Sequence, residues 1–338
     1  MNWLRTLLAS LMLVLAQTAM AAPEQPKLII AVGGKPLFYY LPLTIAERLG
    51  YFKEEGLDVT ITDFPGGAKA LQSLMGGSAD IVSGAYEHTI NMQAKKQHIR
   101  SVVVQGRYAG IVLGLSPEKA AEYKSPKDLK GMKIGVTAPG SSTNMFVNAL
   151  LAKEGLKPDA VSIIGVGATA GAVAAMQKKN IDAIANLDPV INLLEVSGDI
   201  VTKVDTRNLD GQKYVYGQDY AAGVIYTRED FIQKNPQTVQ AVVNAMVRAL
   251  RWIQKATPEQ IVATVPPEYY GEHKAMYRVA LGKNSAAFSP DGQMSMKAAE
   301  NVYNVLKSFE PSVQQAGSID LAKTFDNRFV IEALKKYK

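Results

Sequence analysis

Residues 133–144 read KIGVTAPGSSTN: an apolar strand from Lys133 to Val136, a turn through Pro139 and Gly140, three successive hydroxyls, and a helix starting near Asn144. The hydroxyls are Ser141, Ser142 and Thr143. Small polar side chains at a helix start accept from its free N–H groups, and that end carries partial positive charge. Facing a cleft, such a terminus can hold an anion. Taken alone, the same hydroxyls are better read as caps of that helix.

The surroundings of this stretch are repeated earlier in the chain. Residues 27–32 (KLIIAV) have the pattern of a buried strand, Gly33-Gly34-Lys35-Pro36 breaks it, and residues 43–49 resume with helical spacing. Residues 58–64 alternate as a second strand, and Pro65-Gly66-Gly67 turns into a helix ending near Met75. Ala79-Asp80-Ile81-Val82 begins a third strand that runs out in Ser83-Gly84-Ala85-Tyr86. After residues 133–144 the landmarks return: Glu154-Gly155-Leu156 matches Glu55-Gly56-Leu57, and Met176 with Asp182-Ala183-Ile184 matches Met75 with Asp80-Ile81-Val82. The second copy ends in Asn186-Leu187-Asp188-Pro189.

A strand–turn–helix unit of this kind, used twice, implies an α/β fold of two lobes, each a mostly parallel sheet with right-handed crossovers flanked by helices. The strands expected at 101–104, 111–113, 201–204 and 222–226 are the natural crossings between lobes. Lobe 1 is expected over 27–107 and 222–338, with a helical C-terminal part covering it, and lobe 2 over 108–221. Ligands of open parallel sheets sit beyond the carboxyl ends of the strands, so the cleft is expected between the lobes.

The 338 residues suffice for two cores, and 47% apolar with 20% charged content is ordinary for a globular chain. The net charge of +6 is dispersed, with no basic stripe interleaved with aromatics, so no nucleic-acid partner is expected. Arg5, the apolar run 7–16 and Ala19-Met20-Ala21 read as a cleaved secretory signal over residues 1–21. No cysteine occurs, which excludes a disulfide framework, a thiol nucleophile, a Cys-based metal site and a lipid tether at the cleavage site. The expected location is the periplasm.

Enzyme motifs are missing. Gly165, Gly167 and Gly171 have the spacing GxGxxxG rather than that of a dinucleotide turn, and there is no P-loop lysine. Gly140-Ser141-Ser142 is not a nucleophile elbow. His88, His98 and His273 are too scattered for zinc and read as surface or satisfied histidines. Asp188 alone forms no acid/base pair; it could accept from a ligand, accept from the opposite lobe, or cap the next helix. No catalytic residue, metal or cofactor is expected. Phe38, Tyr39, Tyr40, Tyr86, Tyr108, Tyr214, Tyr216 and Tyr220 cluster in sequence near the strand ends, where aromatics can wall a small-molecule pocket.

GYFKEEGLDV, FPGGAKALQSLMGGSADIVSG, LKGMKIGVTAPGSSTN, IDAIANLDP and FIQKNPQTVQAVVNAMVRALRWI together resemble the nitrate/sulfonate/taurine and thiamine-pyrimidine branch of periplasmic substrate-binding proteins, which serve ABC importers. The resemblance implies a two-lobed type II periplasmic-binding-protein fold. It also implies ligand loops containing Lys35, Phe38 and Tyr39, then Gly66 and Gly67, Ser83, Gly84 and Tyr86, Ser141, Ser142 and Thr143, and Asn186 and Asp188. The eukaryotic pyrimidine-synthesising relatives use a cysteine-rich iron motif, which a chain without cysteine cannot supply.

The resulting expectation is a monomeric receptor that delivers a small organic anion (sulfonate, carboxylate or aromatic acid) to a membrane permease with a cytoplasmic ATPase. The acid would lie on Ser141–Thr143, and Phe38, Tyr39 and Tyr86 would pack its body. The alternatives are a pyrimidine or thiamine precursor as ligand, an enzyme on the same scaffold, and a solute sensor for a membrane signalling protein. Asp188 would suit a pyrimidine amine better than an anion.

Overall fold

The computed structural model describes residues 22–217 and 219–337, so the signal-peptide reading of residues 1–21 lies outside the described residues. The strands are β1 (Lys27–Val32), β2 (Asp58–Asp63), β3 (Ile81–Ala85), β4 (Ile99–Val104), β5 (Val112–Leu115), β6 (Lys133–Val136), β7 (Ser162–Gly165), β8 (Ala183–Asn186), β9 (Val201–Asp205) and β10 (Gly223–Arg228). They form two five-stranded sheets, ordered β2-β1-β3-β10-β4 and β7-β6-β8-β5-β9.

In each sheet the three strands of a repeat unit pair in parallel: β1 with β2 and β3, β6 with β7 and β8. The repeat therefore accounts for only part of each sheet. β10 inserts antiparallel between β3 and β4, and β5 inserts antiparallel between β8 and β9. β10 follows the second unit and β5 precedes it, so the chain crosses twice between the lobes.

The repeated landmarks perform repeated work. The Asp80 carboxylate accepts from Ile29 N at 2.8 Å, and the Asp182 carboxylate accepts from Lys133 N at 2.8 Å. Each acid thus anchors the first strand of its unit to the start of the third. Leu57 N donates to Phe52 O and Gly56 N to Lys53 O, and Leu156 N donates to Leu151 O and Gly155 N to Ala152 O. Both sets are Schellman closures of a helix. The glycine is required because φ is +80° at Gly56 and +69° at Gly155, where an L side chain is strained.

The C-terminal helices pack on the first lobe and also reach the second. Pro236–Lys255 lies on the first, burying Val239, Val242, Val243, Met246 and Leu250 and packing on Leu41–Arg48 and β4. The helix Lys274–Asn284 instead reaches Val190–Ser197 beside the second sheet. There Asn192 Nδ2 donates to Met276 O at 3.0 Å, and Lys283 pairs with Glu195 at 2.8 Å. Among the described residues no helix is long and apolar enough to cross a membrane.

Candidate functional site

The segments that follow β1, β2 and β3 touch those that follow β6 and β8 across the lobes. Phe38 N donates to Asp188 O at 3.0 Å, and Ala68 N donates to Ser141 Oγ at 2.9 Å. The approach needs small residues: a Cβ on Gly66 would stand 2.8 Å from Ala138 Cβ and 3.0 Å from Ser141 Oγ. His88 spans the same contact. Its Nε2 lies 3.3 Å from Gly140 O and its Nδ1 3.0 Å from Tyr226 OH. A carbonyl only accepts, so Nε2 carries the proton and Nδ1 accepts from the tyrosine. Burial pulls the His88 pKa down to about 4, so the ring is neutral.

Several residues expected to hold ligand are engaged within the protein. Ser141 Oγ caps the helix Gly67–Met75 of the opposite lobe, and Thr143 Oγ1 accepts from Thr137 N at 3.1 Å and meets Thr137 Oγ1 at 2.9 Å. Ser142 opens the helix Ser142–Lys153 and is half-buried. Lys35 Nζ pairs with Glu47 at 2.9 Å, while the Gly34 and Lys35 amides donate to Asp63. Asn186 Nδ2 donates to Gly167 O, and Asn186 Oδ1 accepts from Leu187 N. Phe38 is buried edge-on against Tyr277, with centroids 4.7 Å apart. Gly84 is pressed against the Tyr226 ring, and Gly67 lies by His88 and Tyr40.

One expectation is corrected, that for Tyr86, and one open choice, that for Asp188, is narrowed. Tyr86 is fully buried with its hydroxyl 2.5 Å from Thr324 Oγ1, so it ties β3 to the C-terminal segment instead of walling the pocket. Of the readings open for Asp188, the structure shows the cap of the next helix, through Asn192 N, and the acceptor for Asn284 of the C-terminal part; the carboxylate is fully buried beside Arg207. It accepts from Arg207 Nη1 at 3.2 Å, Asn284 Nδ2 at 2.7 Å and Asn192 N at 2.9 Å. Arg207 also binds Asp205 and Glu195, each at 2.7 Å. Burial opposes the charge on Glu195, but hydrogen bonds from Arg207, Lys283 and Thr202 outweigh it and hold its pKa at about 2.

A different group has polar atoms to spare. Glu87 begins the helix Glu87–Ala94 just past β3 and is 2% exposed. Its Oε1 accepts from Tyr220 OH at 3.0 Å, while Oε2 has no hydrogen-bond partner among the described residues. Tyr39 OH, Tyr216 OH and Gln212 Nε2 are likewise buried and unpartnered. Burial raises the phenols of Tyr39, Tyr216, Tyr220 and Tyr226, and the nearby Glu87 carboxylate adds to the shift of all four. Tyr216 and Tyr220 stack at 4.2 Å. Gln212 and Tyr216, four residues apart on the helix Leu209–Tyr216, share one face. Tyr39 and Gln105 both close on Gly223, and Gln105 bonds to Ser83. Burial pushes the Glu87 carboxyl up to about 7.

This cluster draws Tyr39, Glu87 and Tyr226 from the first lobe, and Gln212, Tyr216 and Tyr220 from the end of the 108–221 segment that leads back to it. Beside it, a cavity of about 20 Å³ lined by Phe38, Tyr39, Gln105, Tyr108 and Leu187 has room for about one water. Of the aromatics read from the sequence, Tyr39, Tyr216 and Tyr220 belong to the cluster, whereas Tyr214 is exposed. Glu87, Gln212 and Tyr226 were missed. The signal for Glu87 was an acid two residues past the third strand of a repeat unit, the same position as Asp188.

A solved structure from Bordetella bronchiseptica RB50 is 52% identical, superposes with a TM-score of 0.90, and covers 93% of this chain and 99% of its own. The alkanesulfonate-binding protein SsuA from Xanthomonas axonopodis pv. citri, at 18% identity, shares the fold with a TM-score of 0.65 over 90% of this chain and 99% of its own. YtlA of Bacillus subtilis is 23% identical over 90% of this chain and 91% of its own, and the taurine-binding periplasmic protein of Escherichia coli is 27% identical over 62% of each. A family model described as NMT1/THI5 like matches residues 38–261. Matched over well more than half its length, and built on the two-lobed fold of periplasmic binding proteins, the chain belongs to the NMT1/THI5-like family.

Proposed function

We propose that this protein is the solute receptor of an ABC importer, a periplasmic monomer that encloses a small organic molecule between its lobes and delivers it to a membrane permease with a cytoplasmic ATPase. The observation that carries the reading is the buried polar cluster just past the carboxyl end of β3, with four unpartnered polar atoms from Tyr39, Glu87, Gln212 and Tyr216. Buried polar groups are almost always paired, so such a cluster points to a ligand. Relatives that bind taurine and alkanesulfonates on this fold support it.

Entry requires the lobes to part, which breaks the Ala68–Ser141 and His88–Gly140 contacts; the solute then shifts the open–closed equilibrium. An enzyme on this scaffold has less support, because both nitrogens of His88 are engaged and neither faces a serine or threonine hydroxyl.

Native mass spectrometry of protein purified from periplasmic extract, followed by thermal shift against a solute panel, tests the reading. A solute at about 100 times its Kd adds roughly 2.7 kcal/mol of stability. Turnover of a bound compound by the purified protein would count for the enzyme instead.

A further inference from the structure

We infer that the helix Lys274–Asn284 is a strap that travels with the second lobe when the cleft opens, although the chain joins it to the first lobe at both ends. The inference rests on the receptor reading, which is what requires the lobes to part, and it says which surfaces separate when they do.

The strap is tied unequally to its two neighbours. Towards the second lobe, Asn284 Nδ2 donates to the Asp188 carboxylate at 2.7 Å, Asn192 Nδ2 donates to Met276 O at 3.0 Å, and Lys283 pairs with Glu195 at 2.8 Å. Asp188, Asn192 and Asn284 are all buried, so parting them would strip a carboxylate and two amides of their partners. Towards the first lobe, the polar tie is Arg278 to Glu259 at 3.3 Å, a pair exposed at both ends and screened by water. The Tyr277 ring meets Phe38 edge-on with centroids 4.7 Å apart, and the strap also packs on Pro258–Thr264. The Tyr277 hydroxyl is buried without a hydrogen-bond partner among the described residues, so nothing polar fixes that ring. Apolar contact is non-directional and tolerates sliding that a buried hydrogen bond does not.

Both ends of the strap have the joints this motion needs. Asn284 lies against Gly110 of the first crossing, where a Cβ would stand 3.5 Å from Asn284 Oδ1. Just beyond, Arg107 N donates to Ala287 O and Ser289 N to Gln105 O, anchoring residues 287–289 to that crossing. This end sits beside the axis on which the lobes turn, so it is displaced little. At the other end, residues 268–273 arch over a cavity of about 460 Å³ lined by Ala170, Val173, Val190 and Leu193 of the second lobe. Gly271 in the arch has φ +51°. A loosely packed segment with a glycine is where the backbone turns most readily. Opening then slides Tyr277 off Phe38, which is covered in the closed form and uncovered in the open one.

The chain has no cysteine, so introduced cysteines carry spin labels without background. Lys53 marks the first lobe, Lys130 the second and Val279 the strap, and all three are exposed. Double electron–electron resonance on Lys53→Cys with Lys130→Cys, Val279→Cys with Lys53→Cys, and Val279→Cys with Lys130→Cys gives the three distances. Each is measured on protein stripped by unfolding and refolding, and again after adding the small-molecule fraction of periplasmic extract. The expected result is a shift of several ångströms between the lobes and between strap and first lobe, with the strap-to-second-lobe distance unchanged. A strap-to-second-lobe distance that shifts as the lobes do overturns the inference and leaves the receptor standing. A single, unchanged lobe-to-lobe distance overturns both.

Two variants of the labelled chain test the ties themselves. Asn192→Ala with Lys283→Met should broaden the strap-to-second-lobe distance in the stripped protein, and Arg278→Ala should leave all three distances as they were. A distance that stays sharp in the first variant, or a strap-to-first-lobe distance that broadens in the second, overturns the inference.

Discussion

Two buried carboxylates occupy the same place in the two lobes. Glu87 lies two residues past the end of β3, and Asp188 two residues past the end of β8. They are 2% and 0% exposed. Asp188 is saturated by Arg207, Asn284 and Asn192, whereas Glu87 has one tyrosine donor and a free oxygen. Burial of an acid at a strand end therefore does not identify a binding group; the remaining hydrogen-bonding capacity does. The second lobe uses its acid to fix its own crossing, through Arg207, to the helix Lys274–Asn284. The first lobe keeps its acid for the cluster.

The largest effect should come from breaking the saturated site. Arg207→Met leaves Asp188 buried without its cation, and should cost about 3–5 kcal/mol in urea unfolding. A cost below about 1 kcal/mol would mean that Asp188 does not depend on the arginine.

Next comes the pH behaviour of Glu87. Its folded pKa, about 7, lies above its ordinary 4.5, so the folded chain binds the extra proton between those values. The stability it contributes is full below pH 4.5 and is lost as pH rises through 7, by up to roughly 3 kcal/mol. His88 acts oppositely. Its folded pKa of about 4 is below the ordinary 6.5, so its contribution is present above 6.5 and is lost as pH falls towards 4. The two overlap, so the clean measurement is the difference between wild type and Glu87→Gln. The variant should gain on the wild type as pH rises from 5 to 8, and a flat difference would show that Glu87 is not desolvated.

Asn284→Ala should cost about 1–3 kcal/mol, since it removes one of several donors to Asp188. A loss equal to that of Arg207→Met would show that the network acts as one unit. The smallest effect is expected from Ser141→Ala. It removes the acceptor of Ala68 N across the lobes, costing the closed form about 1 kcal/mol and reducing solute affinity several-fold, with the thermal melt of each lobe unchanged. Affinity unchanged in this variant would make the hydroxyl irrelevant to closure.

The repeat was readable in the chain because its landmarks are local. Gly56 and Gly155 sit at positive-φ helix ends, and Asp80 and Asp182 bind backbone amides of the neighbouring strand. Each needs a particular residue type at a fixed offset. The KIGVTAPGSSTN stretch was likewise correctly divided into strand, turn and helix. Its partners were not readable, because Ser141 bonds to Ala68, 73 residues earlier. Tyr86 misled for the same reason, since its partner Thr324 lies 238 residues away, and the Asn284 donor to Asp188 lies 96 residues away, whereas the local cap by Asp188 was among the readings open in the sequence.

By itself, then, the sequence determined the two-lobed α/β plan, the repeat unit and the strand ends where a site could form, since these follow from hydrophobic periodicity and turn chemistry within short windows. Only the tertiary structure decided how β5 and β10 enter the sheets, which hydroxyls and acids are already satisfied, and which are left free. Saturation of a polar group depends on what the fold brings within about 3 Å of it, and for Asp188 and Glu87 that came from distant segments of the chain.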